Sequence, residues 1–171
     1  MRKTFSKLFI SLVIPIAIFF VLAQPTSAQS EPYYLHLDQN TVEKGYTVPS
    51  RGQDFLVGIR PDVFAEPLTV KIVQENAEDY NLPAGKKLVS PIYTYDLRMD
   101  NPQVLARPII VGLKMSGYFP EASLYFFNRV SNSFQPIPTN FDQANQWARA
   151  FIHFPYTTIA VLADSLEAQF L

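Results

Sequence analysis

The chain reads as an exported all-β protein: an antiparallel β-sandwich of about eight or nine short strands, Greek-key-like, behind an N-terminal signal peptide helix. Three observations predict this. Short runs rich in β-branched and aromatic residues recur along the chain, cut by 14 prolines and only 6 glycines. Between Glu31 and Ala163 no helix-length stretch carries apolar residues at i, i+3, i+4 and i+7, the spacing that lines one helix face. A basic and then apolar segment stands at the N-terminus and is not repeated.

That segment sets the compartment. Arg2, Lys3 and Lys7 precede an apolar run from Leu8 to Ala23, interrupted by Ser11 and Pro15. Gln24-Pro25 and the small residues Thr26-Ser27-Ala28 follow. This order of charge, apolar stretch, helix breaker and small residues is that of a secretory signal peptide, with cleavage expected after Ala28. The run is short of the ~20 apolar residues that span a bilayer, so any membrane attachment would be through an uncleaved signal anchor. The organisation expected is a signal peptide at 1–28, one β-sandwich domain at 29–163 and a C-terminal tail at 164–171. The location expected is periplasmic, cell-surface or extracellular.

The strands follow in order. Tyr33-Tyr34-Leu35-His36-Leu37 is a strand stopped by Asp38-Gln39-Asn40, and Gly45 to Gly52 reads as irregular. Asp54 to Arg60 is a strand ended by Pro61. Leu68 to Gln74 sets Leu68, Val70 and Ile72 against Thr69 and Lys71, a half-buried strand of period two broken only at Val73. Asn76 to Gly85 reads as a long polar connection, closed by the turn chemistry of Pro83 and Gly85. Lys87 to Leu97 is strand-like but holds Pro91, which cannot donate to a ladder, so a bulge or an edge is expected there. Pro108 to Met115 is a strand. Ala122 to Arg129 and Ser133 to Ile137 form a hairpin, and Ala148 to Phe154 with Thr157 to Ala163 close the domain around Pro155-Tyr156.

Composition narrows the function. The net charge is -1, and three units more negative without the basic residues of the signal. A mildly acidic domain lacking a Lys/Arg cluster is poorly suited to nucleic acid or anionic lipid, since both require concentrated positive charge. The chain has no cysteine, so its stability has to come from an apolar core rather than the disulfides common in small secreted domains. It has no Asn-x-Ser/Thr acceptor either, which tilts the reading toward a bacterial envelope.

No catalytic pattern stands out. His36 and His153 each sit in a predicted strand between apolar neighbours, and neither has the spaced partners that a metal site or a base requires. Ser90, in Val89-Ser90-Pro91, lacks the glycine-flanked nucleophile elbow. Asp96, Asp100 and Asn101 cluster at a strand end. Such oxygens can ligate Ca²⁺, but the spacing departs from the Asp-rich loop motif, and turn propensity accounts for the same residues. Glu75, Glu78 and Asp79 read as a solvated connection. No catalytic residue, cofactor or metal is therefore expected. Tyr93 and Tyr95 share a strand face and, with Tyr125, are the possible ligand contacts, as a platform on which sugar rings stack. The competing reading is that these rings fill the core, since each buries ~150–250 Å². Trp147 is expected to pack at one end of that core.

One stretch resembles a known family. Leu82-Pro83-Ala84-Gly85, Leu88-Val89-Ser90-Pro91-Ile92-Tyr93 and Arg107-Pro108-Ile109-Ile110-Val111-Gly112-Leu113 follow the motif order of the β-sandwich domain of ankyrins, zona-occludens proteins and netrin receptors. Trp147, Phe151-Ile152-His153-Phe154 and Thr158-Ile159-Ala160-Val161-Leu162 fit the same plan. The stretch also resembles the N-terminal β-domain of bacterial envelope proteins related to rare lipoprotein A. The resemblance implies protein or scaffold contacts rather than turnover. Some members of the first family cleave themselves at His-Phe-Ser. The matching triplet here is His153-Phe154-Pro155, which has no hydroxyl nucleophile, so no self-cleavage is expected, and a chain break after Phe154 in an intact mass would contradict this.

The function expected is a non-catalytic binding or scaffolding module of a cell envelope, contacting an envelope protein or cell-wall glycan. The alternative is an accessory domain, or remnant, of a wall-lytic enzyme whose catalytic barrel is missing from this chain.

Overall fold

A computed structural model describes residues 31–61, 63–98 and 104–165. The signal peptide with its expected helix and cleavage site, Asp100, Asn101 and most of the C-terminal tail lie outside the described residues. Within them the chain forms twelve strands in two antiparallel sheets, not a barrel. The strands are β1 (Tyr33–Leu37), β2 (Tyr46–Pro49), β3 (Phe55–Ile59), β4 (Leu68–Glu75), β5 (Lys86–Leu88) and β6 (Ile92–Arg98). They continue with β7 (Ile109–Lys114), β8 (Ser123–Asn128), β9 (Ser133–Ile137), β10 (Asn140–Asp142), β11 (Trp147–Ile152) and β12 (Tyr156–Asp164). The seven-stranded sheet runs β1-β4-β6-β12-β8-β9, with β5 also paired to β12, and the five-stranded sheet runs β10-β11-β7-β3-β2.

The two sheets share one core because alternate residues of each strand point toward the other sheet. From the large sheet come Leu68, Val70 and Ile72 of β4, Tyr93, Tyr95 and Leu97 of β6, Leu124 of β8, and Ile159 and Val161 of β12. The small sheet supplies Phe55, Val57 and Ile59 of β3, Ile109, Val111 and Leu113 of β7, and Ala148, Ala150 and Ile152 of β11. The Phe55 ring lies flat on Tyr93 at 4.9 Å between centroids and reaches Tyr95 at 6.3 Å, so aromatic stacking ties the layers together.

The count of twelve exceeds the eight or nine expected, for local reasons. Pro91 splits the predicted Lys87 to Leu97 strand into β5 and β6, and both pair with the same side of β12, at Leu162–Asp164 and at Tyr156–Ile159. Between these ladders Ser90 takes over: its Oγ accepts the Val161 N–H at 2.8 Å and donates to the Pro91 carbonyl. The stretch read as irregular contains β2, which is only four residues long. Three-residue β10 also escaped the sequence reading, and β12 continues past Ala163 to Asp164, whose carboxylate takes the Lys86 ammonium.

A short helix, α1 (Gln39–Lys44), replaces the stop expected after β1. The Asp38 side chain caps it by accepting the Thr41 N–H at 2.8 Å, and Val42 is buried. Gly45 ends it at φ 77°, where a Cβ would stand 2.7 Å from Pro61 Cδ. The cap and the closing glycine were legible as a helix signature, but six residues are too few to show a helical period.

One further expectation is corrected. Trp147 does not cap the core end: with Leu56 it lies over Gly112, both within about 3.2 Å of where a Cβ would be. Residues 76–85 are the mostly exposed connection expected, with one side chain packed down. A single 3-10 turn at Ala77–Asp79 lays Tyr80 on the large sheet's outer face, 5.0 Å from Phe127 and 5.7 Å from Phe134. There Ile92, Tyr125, Phe134, Ala160 and Leu162 form a second, smaller core.

Candidate functional site

The three tyrosines singled out as ligand contacts present no ring face to solvent. Tyr93 and Tyr95 face inward, with 3 % and 0 % of their surface exposed. Each spends its hydroxyl inside the protein. Tyr93 donates to Asp54 Oδ1 at 2.6 Å, on a carboxylate that also takes the Ser50 hydroxyl, and Tyr95 donates to the Phe154 carbonyl at 2.7 Å. Burial raises both phenol pKa values well above the usual range, and at Tyr93 the neighbouring Asp54 adds to the effect. Tyr125 points to the outer face but is covered by the second core. Period two located these rings on strand faces correctly; it could not say that those faces are covered.

The open surface lies beside that second core. Strand register aligns outward side chains in rows across the large sheet. Tyr156 pairs with Asp96, Asp96 with Lys71, and Lys71 with Tyr34. The next row is Thr158, Thr94 and Val73. Both threonines are buried, and their hydroxyls bond each other at 2.7 Å, which gives the face a rigid and saturated floor. Two open hollows lie over it. One, of about 390 Å³, is walled by Glu31, Lys71, Glu75, Asp96 and Tyr156. The other, of about 360 Å³, is walled by Phe126, Phe127, Arg129, Phe154 and Tyr156. Tyr156 is the wall between them.

Each end of this trough carries an arginine stacked on a tyrosine. The Arg129 guanidinium sits 4.8 Å from the Tyr156 ring centre and bonds its hydroxyl, and Arg98 lies 5.1 Å from the Tyr34 ring while reaching Asp96 at 3.8 Å. Stacking restrains the exposed rings, since a guanidinium over a ring face is attracted by its quadrupole. Tyr34, Phe154 and Tyr156 keep 49, 40 and 38 % of their surface exposed, enough to offer ring area to a ligand. Phe154 is braced by Phe126 at 5.5 Å.

The polar side chains nearest the face are engaged by neighbours. The threonine hydroxyls are engaged with each other. His36 meets Thr69 Oγ1 at 3.2 Å, and His153 Nδ1 meets the Leu105 carbonyl at 2.7 Å; neither lines the hollows. Among the described residues no group of three His, Asp or Glu gathers closely enough to hold a metal ion, and no helix is long and apolar enough to cross a membrane. Ser90, inside the stretch that carries the family resemblance, bridges backbone as described above. Tyr156 and Phe154 were visible in the sequence only as aromatics beside Pro155, and Arg129 only as the end of a hairpin strand. The outward parity that Tyr156 shares with Thr158 was the one signal that could have separated them from the core tyrosines.

Comparison with family models and with curated proteins yields no match for this chain.

Proposed function

We propose that the chain is an exported, non-catalytic binding module of a cell envelope that holds a wall glycan in the trough around Tyr156, on a Greek-key-like sandwich scaffold. The observation that carries this reading is Tyr156 itself. It is a half-exposed ring, braced by Arg129, standing between two adjacent open hollows. Flat apolar ring faces next to charged hydrogen-bonding groups suit a sugar, whose C–H face packs on a ring while its hydroxyls bond at the edges. Asp96, Lys71 and Arg129 supply such edges. The hollows fall within the ~300–1,000 Å³ usual for small-molecule sites.

The test is co-sedimentation of the purified protein with wall sacculi, beside Tyr156→Ala. Retention of the wild type with at least a tenfold loss in the variant supports the reading. Equal retention of the two, or none of either, overturns it; recovery of one specific envelope protein from membrane extract would put the scaffold role in its place. Release of soluble fragments from peptidoglycan by this chain alone would overturn the non-catalytic assignment and favour the wall-lytic alternative.

A further inference from the structure

A sheet edge is a row of unpaired N–H and C=O groups, and folded proteins blunt such edges with proline, lysine or shortness. Among the described residues, four of the five free edges are blunted. β9 carries Pro136, β2 is four residues long and ends in Pro49, β10 has three residues, and β5 has three residues of which two are lysine. β1 is the exception. It has five residues, Tyr-Tyr-Leu-His-Leu, with no proline and no lysine, and it pairs on one side with β4. Among the described residues no strand lies on its other side.

The side chains point the same way. The core rows Leu97–Val70–Leu35 and Tyr95–Ile72–Tyr33 end at β1, where Tyr33 and Leu35 remain only partly buried. One further strand would complete their burial.

We infer that β1 is the contact through which a second copy of this chain binds, antiparallel about a twofold axis at Leu35, joining the two large sheets into one. The sequence of β1 selects that partner because it complements itself about Leu35. Leu35 would meet its counterpart, and Tyr33 would meet Leu37 of the other copy, all toward the core. Tyr34 would meet His36 on the outer face. Each cross-strand pair is apolar with apolar or ring with ring, the combinations that stabilise a ladder, and such an isologous contact closes as a dimer. Two five-residue strands bury less than the ~1,600 Å² of a standard interface, so the dimer is weak and depends on concentration. Tyr34 belongs to both the trough and this contact, but the test reads self-association in the absence of any glycan, so its outcome does not depend on what the trough binds.

Sedimentation equilibrium on the purified protein, up to about 1 mM, tests it with two register-specific variants. Tyr34→Glu with His36→Glu sets carboxylate against carboxylate across the axis and should weaken association at least tenfold. Tyr34→Glu with His36→Lys sets opposite charges in the same places and should restore it. Tyr34 and His36 are both exposed, and circular dichroism checks that the variants fold. A wild type that stays monomeric, or two variants with the same dissociation constant, would overturn the proposal. As a second readout on unmutated protein, amide exchange in β1 should slow with rising concentration; exchange that is independent of concentration counts against it.

Discussion

The outer face of the large sheet has two halves made from the same strands, and only one of them is covered. Over one half, Tyr80 folds down from the 76–85 connection onto Phe127 and Phe134, and the side chains beneath form a sealed second core. The other half stays open beyond the Tyr80 hydroxyl, which reaches Thr158 and Thr94, and Tyr156, Asp96 and Lys71 line the trough there. β6, β8 and β12 run through both. The lesson is that strand sequence alone does not decide whether a sheet face is core or site; an arm from elsewhere in the chain does. Tyr125 and Tyr156 show it as a pair, both aromatic and both outward, one covered and one free.

The largest effect on this contrast should come at high pH. Tyr80, Tyr93 and Tyr95 all have raised pKa values, chiefly through burial. Their neutral forms are favoured in the folded state, so stability is full below the unfolded phenol value of ~10 and declines as pH rises beyond it. Absorbance at 295 nm should show these phenols ionising only together with unfolding. Titration of Tyr80 in a chain that remains folded would contradict the cover of that half, and titration of Tyr93 or Tyr95 would contradict the burial of the main core.

Tyr80→Ala should come next, at about 2–4 kcal/mol by urea denaturation, the range for truncating a large side chain packed on a core. It should also extend the open trough into the covered half, detectable as binding of an apolar dye. Ser90→Ala should cost about 1–3 kcal/mol, because it strands the Val161 N–H between two ladders. Ser90→Thr, which keeps the hydroxyl, should recover most of this. Tyr156→Ala should be smallest, within ~0.5 kcal/mol of the wild type, since the ring is exposed and its stack with Arg129 lies at the surface. That pairing of a small stability change with a large loss of sacculus retention is what separates the open half from the covered one.

Much of the scaffold was legible. The alternation of Leu68, Val70 and Ile72 named the inner face of β4, and the break at Val73 marks a residue that is itself buried, on the opposite face. The β8–β9 hairpin was readable from Val130-Ser131-Asn132, where Asn128 Oδ1 accepts the Val130 and Ser131 N–H groups. Pro91 announced an interruption, although not that both pieces would share one partner strand. The elements that were missed, α1, β2 and β10, have three to six residues, too few for a period to repeat. The candidate site was much less legible. Tyr93 and Tyr95 drew attention because two rings at period two make a visible stripe, and the interior needs that stripe more than a ligand does.

By itself, then, the amino-acid sequence determined the β class, the cysteine-free reliance on an apolar core, most strand positions and the inward parity of the main runs. All of these depend on contacts between near neighbours, or on side-chain type alone. Tertiary structure decided which face each stripe meets, which aromatic rings are sealed and which stand free, and where five strand edges end up. These are settled by pairings between residues far apart in the chain, such as Tyr80 with Phe127 or Tyr156 with Asp96, and no local pattern encodes a partner dozens of positions away.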